Sequence, residues 1–228
     1  MDDELLILRD ALRKIREMDR PLITIDGPCA SGKTTLASRL AERLDAAVIH
    51  TDDFVIPHEM KTEERLAVPG GNCDSGRLYR EVCAPWRAGL PVLFSRYDCR
   101  ADRLLPPEKL PECRALILEG SYCNIPMIRE SADVRFFLDT APEIREARLI
   151  ARESPESLAM FRKRWIPLED AYFAAFGLPD AGCIVLRARN HGDVLFCQVH
   201  ICNVIIFCVR LLCFCLTPCE VAAIVLGA

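Results

Sequence analysis

Apolar residues along this chain fall into short runs that alternate with segments of helical spacing. Five runs have the length of buried strands, and they span residues 22–25, 46–49, 115–118, 134–138 and 183–186. Between the first two runs, Leu36, Leu40 and Leu44 recur at every fourth position, which predicts one apolar face of a helix. Residues 3–18 show helical spacing among charged residues and predict an amphipathic helix. Strands that alternate with helices predict an α/β fold with a parallel, doubly wound sheet flanked by helices.

Two further helices are predicted from residues that are typical of helix starts and helix ends. One extends from about Leu78 to Trp86 and is closed by Gly89. The other is opened by a capping box of Thr140 and Glu143 and extends to about residue 153. Ligands of such a sheet bind at the carboxyl ends of its strands, so we expect the chemically active side chains there.

The segment between the first strand and the following helix contains the pattern G-x-x-x-x-G-K-[ST]. Two glycines allow the backbone to bend until its N–H groups face phosphate oxygens. Lys33 then reaches the β- and γ-phosphates, and the hydroxyl of Thr34 can bind Mg²⁺. The helix that follows directs the positive end of its dipole at the anion. We therefore expect the segment to bind ATP with Mg²⁺ through Gly27, Cys29, Ala30, Ser31, Gly32, Lys33, Thr34 and Thr35.

Acidic residues follow two of the predicted strands. Asp52 and Asp53 come after the second strand, and Glu119 ends the third. A carboxylate at this edge can take the proton of an attacking hydroxyl or hold Mg²⁺. Either aspartate fits the role of base; the alternative is a helix N-cap or a solvated turn. For Glu119 the alternatives are a metal-associated carboxylate and an ordinary acid at a strand end.

Positive charge is concentrated between residues 145 and 164, although the chain as a whole has a net charge of −4. A phosphoryl-transfer site needs such cations, and a closing lid often brings them to it. The alternative is a solvated helix face whose cations pair with glutamates. The negative net charge argues against a nucleic-acid partner. The basic residues are Arg145, Arg148, Arg152, Arg162, Lys163 and Arg164.

Several short motifs together resemble the uridine kinase family, which belongs to a group of P-loop kinases with phosphoribulokinase and nicotinamide riboside kinase. The resemblance covers roughly residues 20–188 and implies a P-loop NTPase fold with a helical lid. A closing stretch at 165–173 is similar to bacterial uridine kinase-like proteins. The other motifs are residues 27–35, 51–54, 72–74, 118–120 and the basic segment.

The resemblance implies roles for the matching positions. Asp52 would be the general base on a nucleoside 5′-hydroxyl, Asp74 would hold ribose hydroxyls, and Glu119 would assist Mg²⁺. Val55 stands where the family has tyrosine, so kinase chemistry transfers better than the identity of the substrate. The implied catalytic residues are Lys33, Asp52, Arg148 and Arg152, and the implied substrate-side residues are Asp53, Asp74, Tyr97 and Asp98.

The N-terminus is acidic and lacks the basic-then-apolar order of a signal peptide, which predicts a cytoplasmic protein. The 13 cysteines should then be reduced thiols. Cys197, His200 and Cys202 lie close together, but their spacing matches no standard zinc pattern.

Three parts of the chain differ in character: an N-terminal helix at 1–19, a kinase domain at 20–188, and an apolar, cysteine-rich tail at 189–228. Residues 194–216 have the length of a membrane span, but Arg210 interrupts them. A packed terminal element and a shifted reading frame are the alternatives. We expect the tail to be dispensable for catalysis.

These features predict a kinase that transfers the γ-phosphoryl group of ATP to a hydroxyl of a small metabolite, with a nucleoside as the expected acceptor. The alternative is a nucleotide-dependent switch or regulatory module that hydrolyses ATP slowly. The sequence does not indicate an oligomeric state.

Overall fold

The computed structural model describes residues 3–188. In this part of the chain, five parallel strands form one sheet in the order β2-β7-β1-β8-β9. The predicted parallel α/β sheet is therefore confirmed. Its strands are β1 (Leu22–Asp26), β2 (Ala46–His50), β7 (Ala115–Glu119), β8 (Val134–Thr140) and β9 (Cys183–Ala188). The predicted anchor, packed element or altered frame at 189–228 and the cysteines beyond 188 lie outside the described residues.

Two adjacent inner strands of the sheet are buried along their whole length. Every residue of β1 and β7 is buried, as expected for parallel strands covered on both faces by other elements. In the sheet register His50 of β2 and Ile25 of β1 both pair with Glu119 of β7. The carboxyl ends of these three strands therefore meet at one edge of the sheet.

Helices surround the sheet, and α1 and α2 coincide with the two predicted from apolar spacing. In α2, Leu40 and Leu44 are buried together with Ala37, whereas Leu36 is partly exposed. The α-helices are α1 (Asp3–Glu17), α2 (Lys33–Leu44), α3 (Glu63–Ala67), α4 (Ser75–Leu78), α5 (Ala84–Arg87), α6 (Pro126–Arg129), α7 (Pro142–Arg152), α8 (Pro155–Met160) and α9 (Ile166–Phe176).

Short helical segments of other types join some of these helices. A π-helical turn at Tyr79–Cys83 connects α4 to α5, so the helix predicted near 78–86 begins earlier, after Asp74. It ends before Gly89, as predicted. A second π-helical turn at Phe161–Trp165 connects α8 to α9. Two 3-10 turns span Thr51–Phe54 and His58–Met60.

The predicted capping box at the start of α7 is wrong. Ala141 occupies the N-cap position and Pro142 the first turn, and no side chain caps the helix there. Thr140 is still part of β8, where its hydroxyl donates to the carbonyl of Ser31 at 3.0 Å. Proline needs no cap for its own nitrogen and favours the helical φ, so α7 can begin without the hydroxyl.

Between α5 and β7 the chain forms two small antiparallel ladders outside the main sheet. One pairs β3 (Leu93–Phe94) with β6 (Glu108–Lys109), and the other pairs β4 (Tyr97–Asp98) with β5 (Arg103–Leu104). The cysteines of the described residues are free thiols. Within residues 3–188, no helix is both long enough and apolar enough to cross a membrane.

Candidate active site

The turn between β1 and α2 has a backbone that its glycines make possible. Gly27 has a φ of +140°, and a Cβ atom there would lie 2.5 Å from the carbonyl oxygen of Leu138. Gly32, the N-cap of α2, has a φ of 106°. Ala30 adopts a left-handed φ of 58° without being glycine, a conformation that costs on the order of 1 kcal/mol. The first N–H groups of α2 have no intrahelical acceptor and so can bind an anion, whereas the N–H groups of Gly27, Cys29 and Ser31 already donate within the protein.

Lys33 lies across this turn. Its Nζ donates to the carbonyl of Gly27 at 2.8 Å and to that of Pro28 at 3.0 Å. An ammonium group has three N–H donors, so these two contacts orient the side chain and still permit a bond to a phosphate oxygen.

The end of β7 brings a carboxylate to the start of α2. Glu119 is buried, and its Oε1 accepts the hydroxyl of Thr34 at 3.1 Å. The same oxygen contacts Nδ1 of His50, and this hydrogen bond raises the pKa of the histidine. A hydroxyl and a carboxylate are hard oxygen ligands of the kind that Mg²⁺ binds. The donor set at Thr34 and Glu119 therefore fits the expected metal.

The turn after β2 packs closely against the turn after β7. The hydroxyl of Thr51 donates to the carbonyl of Ser121 at 2.8 Å. Gly120 has no Cβ at the point of contact, and one placed there would lie 2.1 Å from the Thr51 hydroxyl oxygen. This close approach holds the next residue, Asp52, beside Glu119.

Asp52 and Asp53 differ in their electrostatic surroundings. The pKa of Asp52 is raised because surrounding protein atoms displace water from its carboxylate, although part of the residue is exposed. Lys33 opposes this rise in the pKa of Asp52, and Glu119 adds to it. Burial also raises the pKa of Asp53, but there the first opposing charges are His50 and Arg96. The charge of Asp52 thus interacts with Lys33, which follows the turn between β1 and α2. The charge of Asp53 interacts instead with His50 and with Arg96, which lies beside the small ladders.

The two predicted lid arginines make different contacts. Arg148 donates from Nη1 to the carbonyls of Ala30 and Ser31, both at 3.0 Å. Its Nη2 is buried and has no hydrogen-bond partner among the described residues. Arg152 instead donates from Nε to Glu153 at 2.7 Å in an exposed pair, although its charge also lowers the pKa of Asp52.

The other basic residues make local contacts. Arg145 donates from Nε to the carbonyl of Thr140 at 3.2 Å, and Arg162 pairs with Glu146 at the surface. Arg164 lies 5.2 Å from the ring centroid of Trp165. Arg148 thus supplies a direct contact from the basic segment to the loop, and the exposed pairs match the alternative of a solvated helix face.

Three of the predicted substrate-side residues, Asp74, Tyr97 and Asp98, already have internal partners. Oδ1 of Asp74 accepts the backbone N–H of Arg77 at 3.0 Å and caps α4. Tyr97 is buried, and its hydroxyl donates to Asp102. Asp98 accepts two backbone N–H groups, at 2.9 and 3.1 Å, in the turn after β4. Their role in substrate binding stays a prediction.

Sequence reasoning missed a buried polar cluster beneath the phosphate-binding turn. Oδ1 of Asp26 accepts the N–H of Gly27 at 2.7 Å. Its Oδ2 accepts the hydroxyl of Tyr172 at 2.7 Å and the N–H of Asn124 at 3.2 Å. Complete burial raises the pKa of Asp26 to about 6. In α9, Glu169 accepts the N–H of Cys29 at 2.8 Å.

One signal for this cluster was present in the sequence. Glu169 and Tyr172 are three positions apart in a mostly apolar helix and therefore lie on the same helix face. A polar pair on an apolar face indicates a buried polar contact, but the spacing does not identify the partner. That partner, the loop at 27–32, is about 140 residues away in the sequence.

No protein-family model matches the chain. Among curated proteins it is similar to a tRNA dimethylallyltransferase from Picosynechococcus sp., with 26% identity over 117 residues. This match takes in 51% of the chain and 38% of that protein, so the chain spans well under half the length of this relative.

Solved structures show a closer likeness in fold. A possible uridine kinase from Bacillus stearothermophilus matches with a TM-score of 0.57 and 18% identity, over 78% of this chain and 98% of that one. A candidate fructose transport system kinase from Silicibacter sp. TM1040 matches with a TM-score of 0.57 and 23% identity, over 76% and 95%. YFH7 from Saccharomyces cerevisiae, described as a candidate P-loop kinase with a circular permutation, matches with a TM-score of 0.59 and 12% identity, over 83% and 100%. At these identities the likeness shows the fold, which is that of the P-loop kinases.

Proposed function

We propose that this protein is an ATP-dependent kinase that phosphorylates a hydroxyl group of a small metabolite, with a nucleoside as the expected acceptor. One observation carries the proposal: Thr34 at the end of the loop bonds Glu119 at the sheet edge, and the charges of Lys33 and Glu119 both act on Asp52. The names of two structural neighbours, a possible uridine kinase and a candidate fructose transport system kinase, support the same class of reaction.

The loop and the start of α2 bind the polyphosphate. The N–H groups of Gly27, Cys29 and Ser31 already have acceptors within the protein, so the N–H groups at the start of α2 are the ones that bind phosphate oxygens, and the helix dipole adds positive potential. Lys33, already oriented by two loop carbonyls, donates to the terminal phosphates. Arg148 supports the loop from α7, and its partly buried guanidinium supplies a positive charge that stabilises the negative charge of the phosphates.

Thr34 and Glu119 would hold Mg²⁺ between them. When bound, the ion neutralises phosphate charge and orients the terminal phosphoryl group. The contact of His50 with Glu119 keeps this carboxylate directed toward Thr34.

Asp52 accepts the proton in the transfer step. The acceptor oxygen forms a bond to the γ-phosphorus, the bond from that phosphorus to the bridging oxygen of ADP breaks, and the hydroxyl proton passes to the Asp52 carboxylate. A pKa raised by partial desolvation makes Asp52 a stronger base than an ordinary aspartate. The coupling of Asp52 to Lys33 favours it over Asp53, whose first opposing charges are His50 and Arg96.

A screen of acceptors tests the proposal. Purified protein with ATP and Mg²⁺ is incubated with panels of nucleosides, sugars and vitamins, and ADP release is followed together with the mass of the acceptor. We expect one hydroxyl compound to accelerate ADP release and to gain the mass of a phosphoryl group. Slow ATP turnover that no compound in the panels accelerates would instead favour the nucleotide-dependent switch.

A further inference from the structure

Glu169 is a buried carboxylate that the phosphoryl-transfer scheme does not use. It belongs to α9, at the far end of the described chain, and only 7% of its surface is exposed. Its Oε2 accepts the backbone N–H of Cys29 at 2.8 Å, and its Oε1 accepts the hydroxyl of Ser121 at 2.5 Å. A buried carboxylate is stable only when hydrogen-bond donors of the protein replace its bound water. Both contacts therefore stabilise Glu169 in its buried position.

The two donors belong to different parts of the active site. Cys29 is the third residue of the phosphate-binding loop. Ser121 follows Glu119 by two positions, and its carbonyl accepts the hydroxyl of Thr51 in the turn that carries Asp52. A single carboxylate therefore ties the loop to the turn after β7, which is itself tied to the turn after β2.

The negative charge of Glu169 indicates that this side chain does more than fill space. A negative group beside a polyphosphate site opposes phosphate binding through Coulomb repulsion. A role in packing alone would be met by a neutral side chain of similar size at lower electrostatic cost. A carboxylate at this position is explained by its capacity to accept two hydrogen bonds at once, one from each turn.

We infer that Glu169 is a positioning residue that sets the separation between the phosphate-binding loop and the turn after Glu119, and so couples nucleotide binding to Mg²⁺ binding. The inference rests on the proposed function. It gives α9 a role in the geometry of the proposed nucleotide site. That role is not indicated by the loop motif or by the carboxylates at the strand ends.

The test compares the affinity for a fluorescent ATP analogue with and without Mg²⁺. In the wild-type protein, Mg²⁺ should tighten binding. In Glu169→Ala this enhancement should fall about tenfold, because the lost hydrogen bonds no longer hold Glu119 at its distance from the loop. Glu169→Gln retains an acceptor for the Cys29 N–H, and its amide can donate to the hydroxyl oxygen of Ser121, so it should stay within about threefold of the wild type.

Two further variants separate positioning from folding. Asp170→Ala removes the same charge from the next, exposed position of α9 and should leave both affinities unchanged. Ser121→Ala removes one of the two hydrogen bonds to Glu169. It should reduce the Mg²⁺ enhancement while leaving the metal-free affinity near that of the wild type. Ser121→Ala therefore decides the matter if Glu169→Ala does not fold, as judged by circular dichroism and thermal melting.

The outcomes for the two hypotheses are distinct. A wild-type protein that does not bind the analogue would refute the proposed function and the inference with it. Nucleotide binding whose Mg²⁺ enhancement is unchanged in Ser121→Ala and in any folded Glu169→Ala would overturn the inference alone.

Discussion

The two sides of the candidate site are built in different ways. The donor side, where ATP would bind, lies at the ends of the central strands β1 and β7, which are buried throughout. Its close contacts leave room only for glycine at Gly27 and Gly120. The proposed acceptor side lies outside the sheet and includes Tyr97 and Asp98, on a ladder of two residues per strand.

Polar groups are also used differently on the two sides. On the donor side, the amides of α2 and the ammonium of Lys33 retain donors for a ligand. On the acceptor side, Asp74 caps a helix, the Tyr97 hydroxyl bonds Asp102, and Asp98 holds a turn.

This difference explains why the sequence predicts the phosphoryl donor more readily than the phosphoryl acceptor. A triphosphate is the same group in every kinase of this fold, and a rigid, buried frame suits a constant ligand. The acceptor varies among kinases, and short surface ladders can change without loss of the core. Four predictions, tested with six substitutions, can break or sharpen this comparison.

The largest effect should come from Lys33 on the donor side, and a lysine on the acceptor side provides the matched control. Lys33→Ala should lower kcat/KM for ATP by about 10³-fold, since it removes a cation from the transferring phosphates. Lys61→Ala, a matched change near Cys99 on the acceptor side, should stay within about threefold. Steady-state kinetics on folded proteins checks both values, and equal losses would remove the distinction between the two sides.

The next effect concerns the neighbouring aspartates. Asp52→Asn should lower kcat by about 10²- to 10³-fold, because asparagine cannot take the hydroxyl proton. Asp53→Asn should lower it by less than about tenfold. Full activity in purified Asp52→Asn would rule out this residue as the base, and a loss confined to Asp53→Asn would transfer the role to Asp53.

Asp26 gives the donor side a dependence on pH. Burial raises its pKa in the folded protein from 3.8 to about 6, so between these values the folded state keeps a proton that the unfolded state releases. The contribution of Asp26 to the free energy of unfolding is therefore greatest below pH 4 and falls as pH rises through 6, by about 3 kcal/mol.

Urea denaturation of the wild type and of Asp26→Asn between pH 4.5 and 7.5 measures this contribution as a difference between the two proteins. We expect the stability of the wild type relative to the variant to decrease as pH rises across this interval. A difference that stays constant with pH would contradict the prediction.

The smallest effect is expected on the acceptor side. Asp74→Asn keeps an N-cap for α4, because asparagine caps as well as aspartate, but it removes the charge. The KM for the acceptor should rise about tenfold, as for the loss of one charged hydrogen bond, while the KM for ATP stays unchanged. A rise in the KM for ATP alone would place Asp74 on the donor side.

Much of the fold and the donor side could be predicted because their signals are local. A run of four or five apolar residues predicts a buried strand, and β1, β2, β7, β8 and β9 lie where such runs indicated. The phosphate-binding loop needs only consecutive residues, since Gly27 and Gly32 determine the turn in which Lys33 sits. The strand order then places Glu119 beside His50, as parallel strands with aligned carboxyl ends require.

The partners of buried polar groups were decided only by tertiary structure. Thr140 has the local pattern of a helix cap, yet its hydroxyl bonds Ser31, more than 100 residues away in the sequence. Glu169 reaches Cys29 across a separation of 140 residues. A buried donor or acceptor must find a partner wherever the packed chain brings one near, and local patterns do not contain that choice. The sequence by itself determined the strands of the sheet and the turn of the loop, whereas tertiary packing decided which side chains hold that loop in place.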